Sequence, residues 1–119
     1  MGSSNVAKAT VIGTILQVLM VVCGHYVPQI AASFPIVGTL IGGVTGWLAT
    51  STSPRLTTGA AAGSGLASGV IAGTLGTLVS VWLGDVPMST VGIAAGSTAV
   101  LGAVGGLLGR MVASRKVSA

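Results

Sequence analysis

Residues 65–80 read GLASGVIAGTLGTLVS, a run without charge in which Gly65, Gly69, Gly73, Gly76 and Ser80 recur every three or four positions. On an α-helix this spacing places the five small residues on one face, where a second helix can approach closely. The residues between them are mostly Leu, Ile, Val, Ala and Thr. The stretch therefore predicts an apolar helix that packs through glycine.

The rest of the chain has the same character. It holds 20 glycines in 119 residues, 51% of its residues are hydrophobic, only 5% are charged, and the mean hydropathy is +0.98. So few ionic side chains are not enough to cover the surface of a soluble globular domain. We expect an integral membrane protein in contact with the lipid bilayer, in a bacterial or archaeal cytoplasmic membrane.

Four apolar stretches have nearly the length of about 20 residues that a membrane span needs, at about 6–24, 29–49, 58–83 and 88–112. They predict an all-α fold with four transmembrane helices, arranged as two helical hairpins in a single transmembrane domain over residues 1–119. Glycine and alanine dominate residues 59–65 and lower the hydropathy of the third stretch. A three-span alternative therefore stays open.

The cations indicate the orientation. In the four-span arrangement all five fall on one side of the membrane, whereas the two links on the other side carry His25 and Asp85 and no Lys or Arg. Basic residues favour the cytoplasmic side, so we expect both termini in the cytoplasm. The five cations are Lys8, Arg55, Arg110, Arg115 and Lys116.

Prolines indicate where helices begin. Pro28 and Pro87 are expected to open the second and fourth helices, and Pro54 precedes the third, because proline at the first helical turn loses no needed hydrogen bond. Pro35 lies inside the second apolar stretch. It predicts either a kink there or a short interfacial piece over residues 28–34 before the span.

Two segments suggest an internal repeat. Val11–Pro28 and Val70–Pro87 share seven identical residues at a constant offset of 59, and residues 42–46 and 105–109 both read GGxxG. Aligning the second pair requires four extra residues in the second copy. The pattern fits a parallel repeat of a helical hairpin, and it equally fits chance similarity in a sequence of low complexity.

Small residues at four-residue spacing mark the candidate packing faces. They either close a compact four-helix bundle or, as glycine-zipper (GxxxG) faces, mediate association with other chains. Gln17 lies in the middle of the first span, where its amide is not easily satisfied within its own helix, and it is expected to bond across to a neighbouring helix. The glycines of these faces are Gly38, Gly42, Gly46, Gly65, Gly69, Gly73, Gly92, Gly96, Gly102, Gly105, Gly106 and Gly109.

Few side chains in the sequence could act in catalysis or bind a metal or cofactor. Asp85 is the only carboxylate, His25 the only imidazole and Cys23 the only thiol, so we expect no enzyme, no metal site and no cofactor. His25 is a weak candidate for an axial ligand of haem or chlorophyll, and Cys23 is expected to be buried. The net charge of +4 is explained by cations at the membrane edges, and we expect no nucleic-acid partner.

These patterns favour a small non-catalytic membrane protein that acts through assembly. It would form a homo-oligomer or serve as an accessory subunit of a larger membrane complex. The alternative is an oligomeric pore, a permease or a holin-like protein that permeabilises the membrane. Four helices of this size are not expected to enclose a conduit alone.

Overall fold

The computed structural model of the chain describes residues 2–51 and 56–118, and side chains for 5–30, 32–51 and 56–115. The described residues form helices and no strand, as predicted. The helices are α1 (Gly2–Tyr26), α2 (Pro28–Ala32), α3 (Phe34–Thr50), α4 (Thr58–Trp82) and α5 (Ser89–Ser118).

Three helical segments are long and apolar enough to cross a membrane, namely Asn5–Tyr26, Thr58–Trp82 and Ser89–Arg115. The predicted second span, 29–49, is not one helix. Its main part, α3, has 17 residues and is shorter than the other three. Three long helices are thus compatible with an integral membrane protein, and the fourth apolar helix is shorter.

The break before α3 follows from Pro35. Helix α2 ends at Ala32, and Pro35 lies in the first turn of α3. There proline's missing N–H leaves no intrahelical bond unmade, whereas a continuous helix would place its ring against a carbonyl one turn earlier. Of the two alternatives for this proline, the structure shows the separate short helix, which ends at residue 32 instead of 34.

The other helix ends have local causes. Thr57 caps α4, since its hydroxyl accepts a hydrogen bond from the Ala60 N–H at 3.1 Å, as preferred at this position. Pro28 opens α2 as expected. Pro87 precedes α5 in a turn in which the Thr90 N–H donates to its carbonyl at 3.0 Å. Pro54 and Arg55 lie outside the described residues.

Helix α4 ends in a Schellman motif. Gly84 has a φ of +81° and donates its N–H to the Val81 carbonyl at 2.9 Å, while the Asp85 N–H donates to the Ser80 carbonyl at 3.0 Å. This pair of bonds satisfies two carbonyls that the helix end leaves free. The motif reverses the chain towards α5 and fixes the position of Asp85.

The four longer helices form a bundle in which α3 and α4 lie at the centre. These two contact each other, and each contacts both α1 and α5, but α1 and α5 do not contact one another in the described parts of the chain. Helices α1 and α4 run in one direction and α3 and α5 in the other. The whole chain measures 47 × 22 × 20 Å.

The bundle has small residues inside and large apolar residues outside. Ala49, Ala61 and Ala72 are fully buried, and the largest fully buried side chains are Thr and Ser. Leu19 and Ile36 are 57% and 69% exposed. Apolar side chains over the whole outer surface would be unfavourable in water and suit a hydrocarbon environment.

Candidate functional site

Three glycines make a close contact between the backbones of three helices. A Cβ atom added to Gly46 of α3 or Gly65 of α4 would overlap the carbonyl oxygen of Gly102 on α5, and one added to Gly102 would overlap the Gly65 carbonyl. The backbones of α3, α4 and α5 therefore meet with no space for a side chain. Such close approach is what small residues permit between apolar helices.

Thr98 fills the next level of the bundle. An added Cβ at Gly42 would lie 3.0 Å from the Thr98 Cβ, and one at Gly69 would lie 2.6 Å from its carbonyl oxygen. Gly73 meets the Thr98 hydroxyl. Thr98 is 2% exposed, so this side chain closes the middle of the bundle.

Towards the other end, α5 continues along α3 and α4 by the same kind of contact. Gly105 meets the carbonyl of Gly43, and Gly106 meets the carbonyl of Ala61. Gly109 meets the hydroxyl of Thr50. That hydroxyl also donates to the Gly106 carbonyl at 2.6 Å, so a buried hydrogen bond joins α3 to α5 here.

Gln17 connects α1 to the bundle. It is 3% exposed, and its Nε2 donates to the Gly38 carbonyl of α3 at 2.9 Å. On the α4 side, a Cβ at Gly76 would lie 2.5 Å from the Gln17 Cβ. The amide thus lies between α3 and α4 and hydrogen-bonds across the helix interface.

Gly92 and Gly96 differ from the other candidate glycines. Both are exposed, and a Cβ added to either would have no neighbour within 4 Å. They lie in the first half of α5, before it reaches the contacts at Thr98 and Gly102. Within the described chain these two glycines face open space.

A cavity of about 320 Å³ lies in the half of the bundle that holds the end of α1 and the start of α5. All four longer helices contribute to its walls. Its inner end is formed by Gln17, Gly73 and Thr98, and Phe34 and Val86 line it nearer the helix ends. Most of the wall is apolar, and no charged side chain of the described residues lines it.

The hydroxyls around the cavity are mostly engaged within their own helices. Those of Thr39, Thr77 and Thr98 donate to the carbonyls of Pro35, Gly73 and Ala94 at 2.6–2.8 Å. This is the usual way for Thr to satisfy its donor in a helix. Their oxygens remain available as acceptors.

His25 and Asp85 form a pair at one end of the bundle. The histidine Nδ1 lies 2.9 Å from Oδ2 and 3.1 Å from Oδ1 of the carboxylate, with 34% and 25% of the side chains exposed. The His25 ring also packs edge to face on Tyr26, with centroids 5.0 Å apart. The contact ties the end of α1 to the turn between α4 and α5.

The described cations lie towards the opposite end. Arg110 donates from Nε to the Leu56 carbonyl at 2.8 Å, and Lys8 in α1 and Arg115 in α5 are exposed. The side chain of Lys116 lies outside the described side chains. Among the described residues, no group of three His, Cys, Asp or Glu side chains could hold a metal ion.

Three features of these sites were not predicted from the sequence. The cavity was not anticipated, nor was the His25–Asp85 contact, although the sequence placed both residues in links on the same side. Cys23 was expected to be buried and is exposed; that expectation was wrong because its position on α1 faces away from α3 and α4.

The described geometry therefore offers glycine contacts inside the bundle, an open glycine pair on α5, and a cavity between the helices. No contact within the described chain fills the space beside the open pair.

No protein-family model matches the chain, and no curated protein or solved structure shows significant similarity to it.

Proposed function

We propose that the chain is an integral membrane protein with four spans formed by α1, α3, α4 and α5. The 17 residues of α3 rise about 25 Å at 1.5 Å per residue. This is a little less than the hydrocarbon thickness of about 30 Å, and a mismatch of a few Å has a modest cost. The short helix α2 then lies at the membrane surface.

The positive-inside rule places both termini of this arrangement in the cytoplasm. Lys8, Arg110 and Arg115 support it, because they lie at the opposite end from the His25–Asp85 pair. The long apolar side chains on the outside of the bundle would then contact lipid. The membrane in question is a bacterial or archaeal cytoplasmic membrane.

Within this membrane we propose a non-catalytic role in assembly, with copies of the same chain or with a larger complex. The open glycine pair, Gly92 and Gly96, carries the proposal. The candidate glycines of α5 from Gly102 onward are used inside the chain, whereas this pair presents bare backbone on the outside. Bare backbone at four-residue spacing favours close approach of another membrane helix.

Replacement of Gly92 or Gly96 by Leu tests this proposal. Neither position has a neighbour among the described residues, so each variant should keep its fold and lose assembly, measured as the mass of the detergent-solubilised protein. Val100→Leu is the matched control, because Val100 lies on the same helix, is 60% exposed and already covers its backbone with a branched side chain. An oligomer with unchanged mass in both α5 variants contradicts the proposed surface, as does a wild-type chain that is monomeric and copurifies with nothing.

A pore remains the alternative, and the packing restricts where it could lie. At the level of Gly46, Gly65 and Gly102 the backbones of three helices touch, so a conduit would run between copies of the chain. Proteoliposomes distinguish the two functions: leakage of ions or small solutes favours the pore, and its absence favours assembly without conduction.

A further inference from the structure

The cavity occupies the gap between the two helices that do not touch. Met20 and Val21 line it from α1, and Ile93, Ala94 and Ser97 line it from α5. Its volume of about 320 Å³ is roughly twice that of an apolar protein cavity of about 150 Å³ that binds benzene. The space therefore suits an organic molecule with a ring system larger than one benzene ring.

The walls restrict the charge of an occupant. Met20, Phe34 and Ile93 give the cavity an apolar lining, and no described charged residue contributes to it. An ion in such a site would lose its hydration without a counter-charge, at a cost of many kcal/mol. The occupant must be neutral.

Two polar side chains at the cavity have hydrogen-bonding groups that are not used within the described chain. Gln17 uses one amide hydrogen on the Gly38 carbonyl, and its other hydrogen and its oxygen have no partner among the described residues. Ser80 lines the same cavity at 2% exposure, and its hydroxyl has no hydrogen-bond partner among them either. Since a buried polar group without a hydrogen bond is unfavourable, these side chains favour an occupant that forms hydrogen bonds.

We propose that this cavity binds a small neutral amphiphile, with an apolar body between α1 and α5 and a hydroxyl or amide group that hydrogen-bonds to Gln17. The site is independent of the assembly surface. Gly92 and Gly96 lie on the face of α5 opposite Ala94 and Ser97, at 100° per residue. Failure of one proposal therefore leaves the other standing.

The test uses 1-naphthol as the probe and 1-methylnaphthalene as its counterpart of the same shape without a hydroxyl. The full chain is labelled with ¹³C in its methionine methyl groups and reconstituted in lipid nanodiscs. Met20 lines the cavity, whereas Met88 and Met111 are 63% and 46% exposed and report partition of the probe into the lipid. We expect a saturable shift of the Met20 methyl signal alone, with naphthol binding about tenfold tighter, the contribution of one hydrogen bond.

Substitutions at Ala94 and Gln17 test where the probe binds. Ala94→Leu fills the cavity and should abolish saturation at Met20, whereas Gly63→Leu, which adds bulk in open space, should leave it unchanged. Gln17→Leu should remove the preference for naphthol. Should Gln17→Leu not fold, Gln17→Met, which keeps the length of the side chain and removes the amide, replaces it and is expected to lose the same preference.

Three results would overturn the proposal. The first is a Met20 shift that rises without saturation in parallel with Met88 and Met111, since the probe then only enters the lipid. The second is saturation that persists in Ala94→Leu. The third is an unchanged preference for naphthol in the folded variant that lacks the Gln17 amide.

Discussion

At Gly102 the side chain is limited to a hydrogen atom by the Gly65 carbonyl oxygen. Gly102→Ala places a methyl group against this backbone, and overpacking of this kind typically costs about 1–3 kcal/mol. We expect Gly102→Ala to lower the free energy of unfolding by at least that amount, measured by SDS titration in mixed micelles with circular dichroism. Gly63→Ala, in open space, should be neutral or slightly stabilising; equal stability of the two variants would contradict the packing of α5 against α4.

Because these glycines pack inside the chain, replacing them with a large residue does not test association between chains. From glycine spacing alone, Leu at Gly42 or Gly105 would be expected to separate copies of the chain. Gly42 in fact meets Thr98, and Gly105 meets the Gly43 carbonyl. Bulk at either position disturbs the folding of one chain first, so association between chains is better tested at open glycines such as Gly92 and Gly96.

For individual residues, the sequence predicted which glycines share a helix face, but not which residues those faces contact. The spacing of small residues is local and can be read along one helix. Gly96 and Gly102 lie on the same helix, yet the first faces open space and the second touches Gly65. The difference depends on where α5 meets the other helices, which no local pattern contains.

Among the elements, the turn from α4 to α5 depends on one backbone conformation. Gly84 and Gly63 both have open space around an added Cβ, but only Gly84 has a positive φ, at +81°. Gly84→Ala should therefore destabilise the protein by about 1 kcal/mol through backbone strain alone, in the same SDS titration. A variant as stable as Gly63→Ala would show that the turn can relax.

The break between α2 and α3 shows what sequence can specify about an element. Pro28 and Pro35 both favour the first turn of a helix, and their spacing predicted an interruption between them. It did not decide between a kink and two helices. The structure ends α2 at Ala32, and the Val37 N–H donates to the Ser33 carbonyl at 2.9 Å, so α3 begins its own hydrogen-bond pattern.

For the molecule as a whole, the proposed topology predicts opposite accessibility of its two ends. In a Cys23→Ala background, Met88→Cys should react with an impermeant thiol reagent in intact cells, and Ser118→Cys should react only after lysis. Met88 precedes α5 and is 63% exposed. The reverse pattern would invert the protein, and external reaction at both sites would mean an odd number of spans.

The cavity and the His25–Asp85 pair are properties of the whole bundle, and sequence reasoning could not supply them. The cavity exists because α1 and α5 stay apart while α3 and α4 touch. The pair forms because residues 60 positions apart meet at one end of the bundle. Each depends on helix placement, which hydropathy and glycine spacing leave undetermined.

The reversal of residue size, with small side chains inside and large ones outside, has a consequence for how this sequence can vary. Lipid accepts Leu, Ile, Val or Phe almost equally, so outward positions such as Leu19 and Ile36 are free to exchange within that set. Gly46, Gly65 and Gly102 accept no alternative. Related proteins would therefore be expected to share the spacing of their buried glycines, while the apolar residues between those glycines differ.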